Sequence, residues 1–252
     1  MKYYFHIVTF FLIFNFAKAQ QDARMSLQMF NIVGVNPAAS GSTDFVDIMG
    51  DFRQQNVGNK QVKGHPSDII LSANAPIKKI SSGVGLNYIE ESIGFEKNII
   101  FEPFFAYQLS LGEGKLGFGL NATLGTRKFD FSDAIYPGDN QSGDILINRM
   151  KDKQFNSFGL GAGLYYRISG LYFGLSGRNI NNPKYTFQEN IDSSGNKLKY
   201  QRGHYYVNAG YEYQTNNPLF TFLPSLQVKS AGARASQITG SFLVHYNKSI
   251  IG

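Results

Sequence analysis

The sequence predicts an all-β chain, an antiparallel up-and-down transmembrane β-barrel with about ten strands present, and three observations carry that expectation. Apolar residues alternate with small or polar ones along most of the chain. The 27 Gly, 22 Phe and 15 Tyr are spread evenly, and no Pro/Ser-rich linker or charge block divides the 252 residues. Many alternating segments run about ten residues or more, longer than the ~5–6 of soluble sheets and near the ~9–11 that cross a bilayer at a tilt.

The chain begins with Lys2, an apolar run and the small-x-small site Ala17-Lys18-Ala19, which predicts a signal peptide over 1–19. The run is too short, and too soon followed by polar residues, to span a bilayer as a helix. A periplasmic lead-in over 20–42 and an outer-membrane β-barrel domain over 43–252 follow. The chain has no cysteine, so neither a disulfide framework nor a thiolate metal site holds it.

A first strand is expected around Val46-Ile48-Phe52. Next come Ile69-Leu71-Ala73-Ala75-Ile77, Val84-Leu86-Tyr88, and Ile99-Phe101 through Phe105-Tyr107-Leu109. In 115–127, Leu116, Phe118, Leu120, Ala122 and Leu124 share one face, and Gly117, Gly119, Asn121, Thr123 and Gly125 the other. The pattern returns in Phe158, Leu160, Ala162, Leu164, Tyr166, then in Leu171-Phe173-Leu175 and Tyr205-Val207-Ala209-Tyr211-Tyr213. Phe220-Phe222 through Leu226-Val228, and Ile238 through Phe242-Val244-Tyr246, complete the ten. A soluble sandwich would carry Lys, Glu and Thr on its second face; here that face is mostly Gly, Ser, Asn and Gln, which suits the inside of a barrel. Tyr88, Tyr107, Phe129, Tyr166, Tyr213 and Tyr246 fall at segment ends, where interfacial girdles belong.

Connection lengths alternate as they do in outer-membrane barrels. The connections 54–66, 90–96, 129–154, 179–203 and 229–236 are the longer set, and IKKIS, SLGEGK, ISG and QTNNP the tight turns. That parity predicts a periplasmic N-terminus in the cell outer membrane. On this reading Leu120→Arg should destabilise by about 2–4 kcal/mol, and its inward neighbour Asn121→Arg by little.

No catalytic, cofactor-binding or metal site is expected. Gly117-x-Gly119 and Gly159-x-Gly161-x-Gly163 lie inside strands, whereas a phosphate-cradling loop joins a strand to a helix. G-x-S-x-G and H-E-x-x-H are absent, and the histidines that follow the leader, His65, His204 and His245, are far apart in sequence. Asp130, Asp133, Asp139, Asp144 and Asp152 crowd one long connection, but without EF-hand spacing they read as solvated loop acids. Basic residues exceed acidic ones, 24 to 18, and are scattered rather than clustered, which argues against nucleic acid as a partner.

Met29-Phe30-Asn31, then Asn36-Pro37-Ala38-Ala39 and Gly41-Ser42, resembles the "MFN…NPA.AGS" opening of the PorP/SprF family, outer-membrane proteins of the type IX secretion system of the Bacteroidetes. Arg53-Gln54-Gln55 resembles the Arg-x-Gln that ends the family's first strand, and Gly64-His65-Pro66-Ser67 the Gly-x-Pro-[Ser/Thr] that leads into the second. Gly83-Val84-Gly85-Leu86, Phe105-Ala106-Tyr107 and 115–120 are similar to later strands. The likeness runs from about Gln21 onward; Gln55 replaces the usual Trp, and Val35 a common Tyr or Leu.

The resemblance implies a barrel that is not an enzyme, has no cofactor, and helps export or hold large surface adhesins, as in gliding motility. Its implied partners are the secreted adhesin, other type IX subunits and the lipid bilayer. The motif residues Met29, Phe30, Asn31, Asn36, Pro37, Ala38, Gly41, Arg53, Gln54, Gly64 and Pro66 would serve structure or partner contact. Family members run on for several more strands, and Ile250-Ile251-Gly252 lacks a terminal aromatic, so a C-terminally truncated member is expected; an open edge in hydrocarbon would leave backbone groups unpaired. Composition and spacing alone fit a small-solute diffusion porin equally well, and a soluble adhesive sandwich is the third class.

Overall fold

The computed structural model describes residues 30–55, 64–131, 154–183, 186–187, 203–231, 236–247 and 249–251. The expected leader over 1–19, Met29, and the acidic residues Asp133, Asp139, Asp144 and Asp152 lie outside the described residues.

The strands are β1 (Asp47–Gln54), β2 (Ser67–Ile77), β3 (Ser82–Ile93), β4 (Glu96–Leu111), β5 (Gly114–Phe129), β6 (Gln154–Ile168) and β7 (Leu171–Arg178). They continue as β8 (Thr186–Phe187), β9 (His204–Tyr211), β10 (Tyr213–Gln214), β11 (Phe220–Ser230), β12 (Ser236–Tyr246) and β13 (Ser249–Ile251). The ten longer strands are the ten expected from alternation. All pair antiparallel in the order β1-β2-β3-β4-β5-β6-β7-β9-β11-β12-β13, with β10 on β11 and β8 on β6, so one sheet curls into a half-barrel. Among the described residues no ladder joins β1 to β12 or β13.

Prolines interrupt the ladders where their missing N–H predicts. The β4–β5 register skips from Phe101↔Leu124 to Phe104↔Asn121 around Pro103, and β9 breaks from β10 opposite Pro224. Beyond the end of β7, the bare edge of β6 is covered by a side chain: Asn181 Oδ1 accepts from Leu160 N (3.0 Å) and its Nδ2 donates to Phe158 O (3.0 Å). One expectation is corrected. The 90–96 connection is not a longer loop, because β3 and β4 pair out to Ile93↔Glu96 and Gly94-Phe95 alone makes the turn. Gly94 supplies the positive φ (+61°) that the turn requires.

Burial runs opposite to a soluble sheet. On β5 the convex Leu120 is 65% exposed and its concave neighbour Asn121 5%. Phe52, Leu71, Phe105, Leu124, Phe158, Phe173, Val207, Leu226 and Phe242 are likewise exposed, while Ser72, Asn87, Glu102, Thr123, Ser176 and Asn208 are buried. A continuous apolar outer face over a polar interior is the membrane-barrel arrangement. On the concave face Ile70, Ile89 and Ile100 form an apolar row, paired side by side across β2, β3 and β4.

The apolar band has a definite height. Its last wholly apolar row is Leu71, Tyr88, Phe101, Leu124, Phe158; the next outward row, Ile69, Glu90, Ile99, Thr126, Asn156, is mixed. On the 16-residue β4 the band from Phe101 to Leu111 covers roughly 25–30 Å at ~3.4 Å rise and ~40° tilt, matching the ~25 Å band of outer-membrane barrels.

Candidate functional site

The concave face is not empty. At its short-turn end lies the segment that precedes β1, made of two single-turn 3-10 helices, Ile32–Gly34 and Pro37–Ala39. Each is capped by the asparagine before it: Asn31 Oδ1 accepts from Gly34 N (2.9 Å), and Asn36 Oδ1 from Ala38 N (3.0 Å). Pro37 occupies the first helical position, where its missing N–H is no loss. The Asn36-Pro37 motif is thus a compact helical knuckle. Asn36, Ala38 and Ser40 are fully buried and Asn31 and Val35 nearly so.

The wall holds this plug by hydrogen bonds from several strands. Asn31 Nδ2 donates to Ser72 Oγ of β2 (2.9 Å), which is itself bonded to Asn87 of β3. Gln108 Nε2 of β4 donates to Ala38 O (2.9 Å) and Ser40 O (2.6 Å). Asn36 Nδ2 reaches Leu164 O of β6 (2.9 Å) and, at 3.4 Å, Leu175 O of β7, and Ser176 Oγ of β7 donates to Val35 O (2.7 Å). At roughly 1 kcal/mol net per bond, these contacts contribute several kcal/mol.

The glycines of the wall form the socket. A Cβ on Gly117 would lie 2.2 Å from Ala38 O, and one on Gly119 2.2 Å from Ala38 N. On Gly83 it would meet the plug backbone at Gly41 and Ser40 (2.3 Å), and on Gly163 the Asn36 amide oxygen (2.2 Å). No side chain fits at these four positions unless the plug moves. Gly41 turns beside Gly83 with φ +72° and passes the chain out to β1.

Glycine and asparagine fill the concavity further along the same strands. Asn121 Oδ1 sits where a Cβ of Gly161 would be (2.2 Å), and Asn179 Oδ1 where that of Gly159 would be (2.0 Å). With Asn36 over Gly163, three successive inward glycines of β6 are each covered by an asparagine. Among the described residues these small inner positions of β6 are therefore filled, and the expectation that Asn121 tolerates Arg is corrected. Asn121 is packed against Gly161, and its amide donates to Glu102, which is also paired with Arg178 (Nε–Oε1 3.1 Å). Toward the long-loop end the inner face becomes ionic, with Arg127 Nε 2.9 Å from Glu96 and Asn98 Nδ2 2.8 Å from Glu91.

The motif residues fall into two groups. Asn31, Asn36, Pro37, Ala38 and Gly41 come together in the plug, and Phe30, 43% exposed, lines a cavity of about 210 Å³ between plug and wall with Ile32, Val33, Phe45 and Tyr165. Arg53 and Gln54 end β1 at the opposite, long-loop end, where Arg53 faces Asp68 across the ladder. There Pro66 O accepts from Gln55 N (2.8 Å), and Gly64 (φ +78°) packs on Gly94. The second group shapes the β1–β2 connection and is not part of the plug site. Sequence reasoning missed Ser72, Gln108 and Ser176, which lie on inward positions like any other lumen residue. Among the described residues no cluster of three His, Asp or Glu could hold a metal ion.

A family model described as "Type IX secretion system membrane protein PorP/SprF" matches residues 17–252. No curated protein and no solved structure matches the chain significantly.

Proposed function

This chain belongs to the PorP/SprF family of type IX secretion system membrane proteins, and from that membership we propose that it serves secretion as a plugged outer-membrane barrel that docks proteins. The observation that supports docking over conduction is the plug. A segment bonded to β2, β4, β6 and β7, with its backbone against Gly83, Gly117 and Gly119 and its Asn36 amide against Gly163, occupies the path that a small solute would take. The diffusion-porin alternative is accordingly not favoured.

On this proposal the partners are other type IX subunits and a large surface adhesin, whose export or attachment the barrel assists in gliding motility. The role is non-catalytic and the N-terminus lies on the periplasmic side. Deleting the gene should abolish display of one large surface adhesin while leaving small-solute uptake unchanged. The purified protein in planar bilayers should show no steady conductance, and a stable channel would overturn the docking reading.

A further inference from the structure

Two lysines meet on the outer face just above the apolar band. Lys97 of β4 and Lys128 of β5 are direct cross-strand partners, and Ser92 and Gln154 extend their row on the neighbouring strands. The row lies four residues along each strand from Phe101 and Leu124, where the band ends. Like charges directly opposite repel, so this pair is unfavourable unless an anion lies between. Lys97 Nζ is 2.6 Å from Glu90 Oε1, and Glu90 also accepts from Tyr88 Oη (2.7 Å), so the carboxylate is shared and tied down. Lys128 is exposed and has no partner among the described residues. Among the described residues the cluster therefore keeps one uncompensated positive charge, facing the lipid at headgroup height.

We propose that Lys97 and Lys128, flanked by Ser92 and Gln154, bind the phosphate of an anionic lipid in the leaflet at the long-loop end. A lipid fits better than a protein partner, because the acyl chains of a lipid held there would lie along the exposed Phe101, Leu124 and Phe158 directly below. The phosphate would then satisfy Lys128, relieve the Lys97–Lys128 repulsion and anchor one side of the barrel in depth.

Protein reconstituted in phosphatidylcholine vesicles with and without one quarter phosphatidylglycerol, then released for native mass spectrometry, gives the count of retained anionic lipids. The wild type should retain phosphatidylglycerol selectively. Lys128→Gln should retain it about fivefold less and a Lys97→Gln/Lys128→Gln pair less still, whereas Lys79→Gln, at the other end, should match wild type. Lys128→Gln decides the question if the double variant does not fold, since that side chain has no hydrogen bond or ion pair to lose among the described residues. Retention unchanged in Lys128→Gln would overturn the site. Equal displacement of the lipid by millimolar inorganic phosphate would overturn the assignment to a lipid.

Discussion

The convex and concave faces of the same strands obey one alternation yet differ in kind. The convex face is interchangeable: Leu, Phe, Val and Tyr cover it, and each meets lipid rather than a particular neighbour. The concave face is particular. Gly119 must be Gly because Ala38 N is there, and Gln108 must reach two carbonyls of the plug. Period-two patterning thus specifies where residues go, while a second segment of the chain specifies what the inner ones are.

The largest test of that difference is Gly119→Leu. Its Cβ alone would lie 2.2 Å from the plug backbone, so the plug must leave or the wall must bend. Loss of about 4 kcal/mol or more is expected, read as loss of heat-modifiable gel mobility and by urea unfolding in vesicles. Leu or Val placed instead at Ala122, outward on the same strand, should fold normally. Were Gly119→Leu as stable as wild type, the plug would not be seated there.

Next comes Leu120→Arg against Asn121→Arg. The first puts a charge into hydrocarbon and should destabilise by ~2–4 kcal/mol. The second should lower stability by about 1–3 kcal/mol for a different reason: Asn121 fills the notch over Gly161 and donates to Glu102. Unfolding in thinner bilayers separates them, relieving Leu120→Arg and leaving Asn121→Arg unchanged.

Asn36→Ala probes the plug without adding volume. It removes the cap on Ala38 N and the bond to Leu164 O, and should lower stability by about 1–2 kcal/mol with the barrel still folded. Faster proteolysis of the chain before β1 is the accompanying signal. An Asn36→Ala barrel with wild-type stability and protection would mean that the wall glycines alone retain the plug.

These contrasts also explain what was legible. The ten long strands follow from alternation because side-chain parity is a local property, and their pairing in chain order follows from the tight turns. The Asn-Pro motif is visible as part of the lead-in to the first strand, but its contacts are not: Asn36 meets Leu164 and Leu175, 128 and 139 residues away, and no local pattern encodes that. Gly117, Gly119 and Gly163 read as small lumen residues, since a glycine under a plug and a glycine beside water look alike in sequence. The 90–96 connection is a turn rather than a loop because Glu90 and Glu91 lie in β3, where they bond to Lys97 and Asn98 across the ladder.

The smallest effect is the most discriminating, since it asks whether a strand glycine is constrained at all. Gly240, outward on β12, has no atom within 4 Å of where its Cβ would be, and its φ is not positive. Gly240→Ala should therefore be neutral or stabilise by up to ~0.5 kcal/mol, because alanine loses less backbone entropy in a strand and adds apolar surface toward lipid. Gly163→Ala, one methyl into the Asn36 amide, should instead destabilise by about 1–3 kcal/mol. Urea midpoints measured side by side in one vesicle preparation compare the two. Equal shifts would mean that the socket yields as freely as the lipid-facing wall, and a plug held in so compliant a wall would no longer favour docking over conduction.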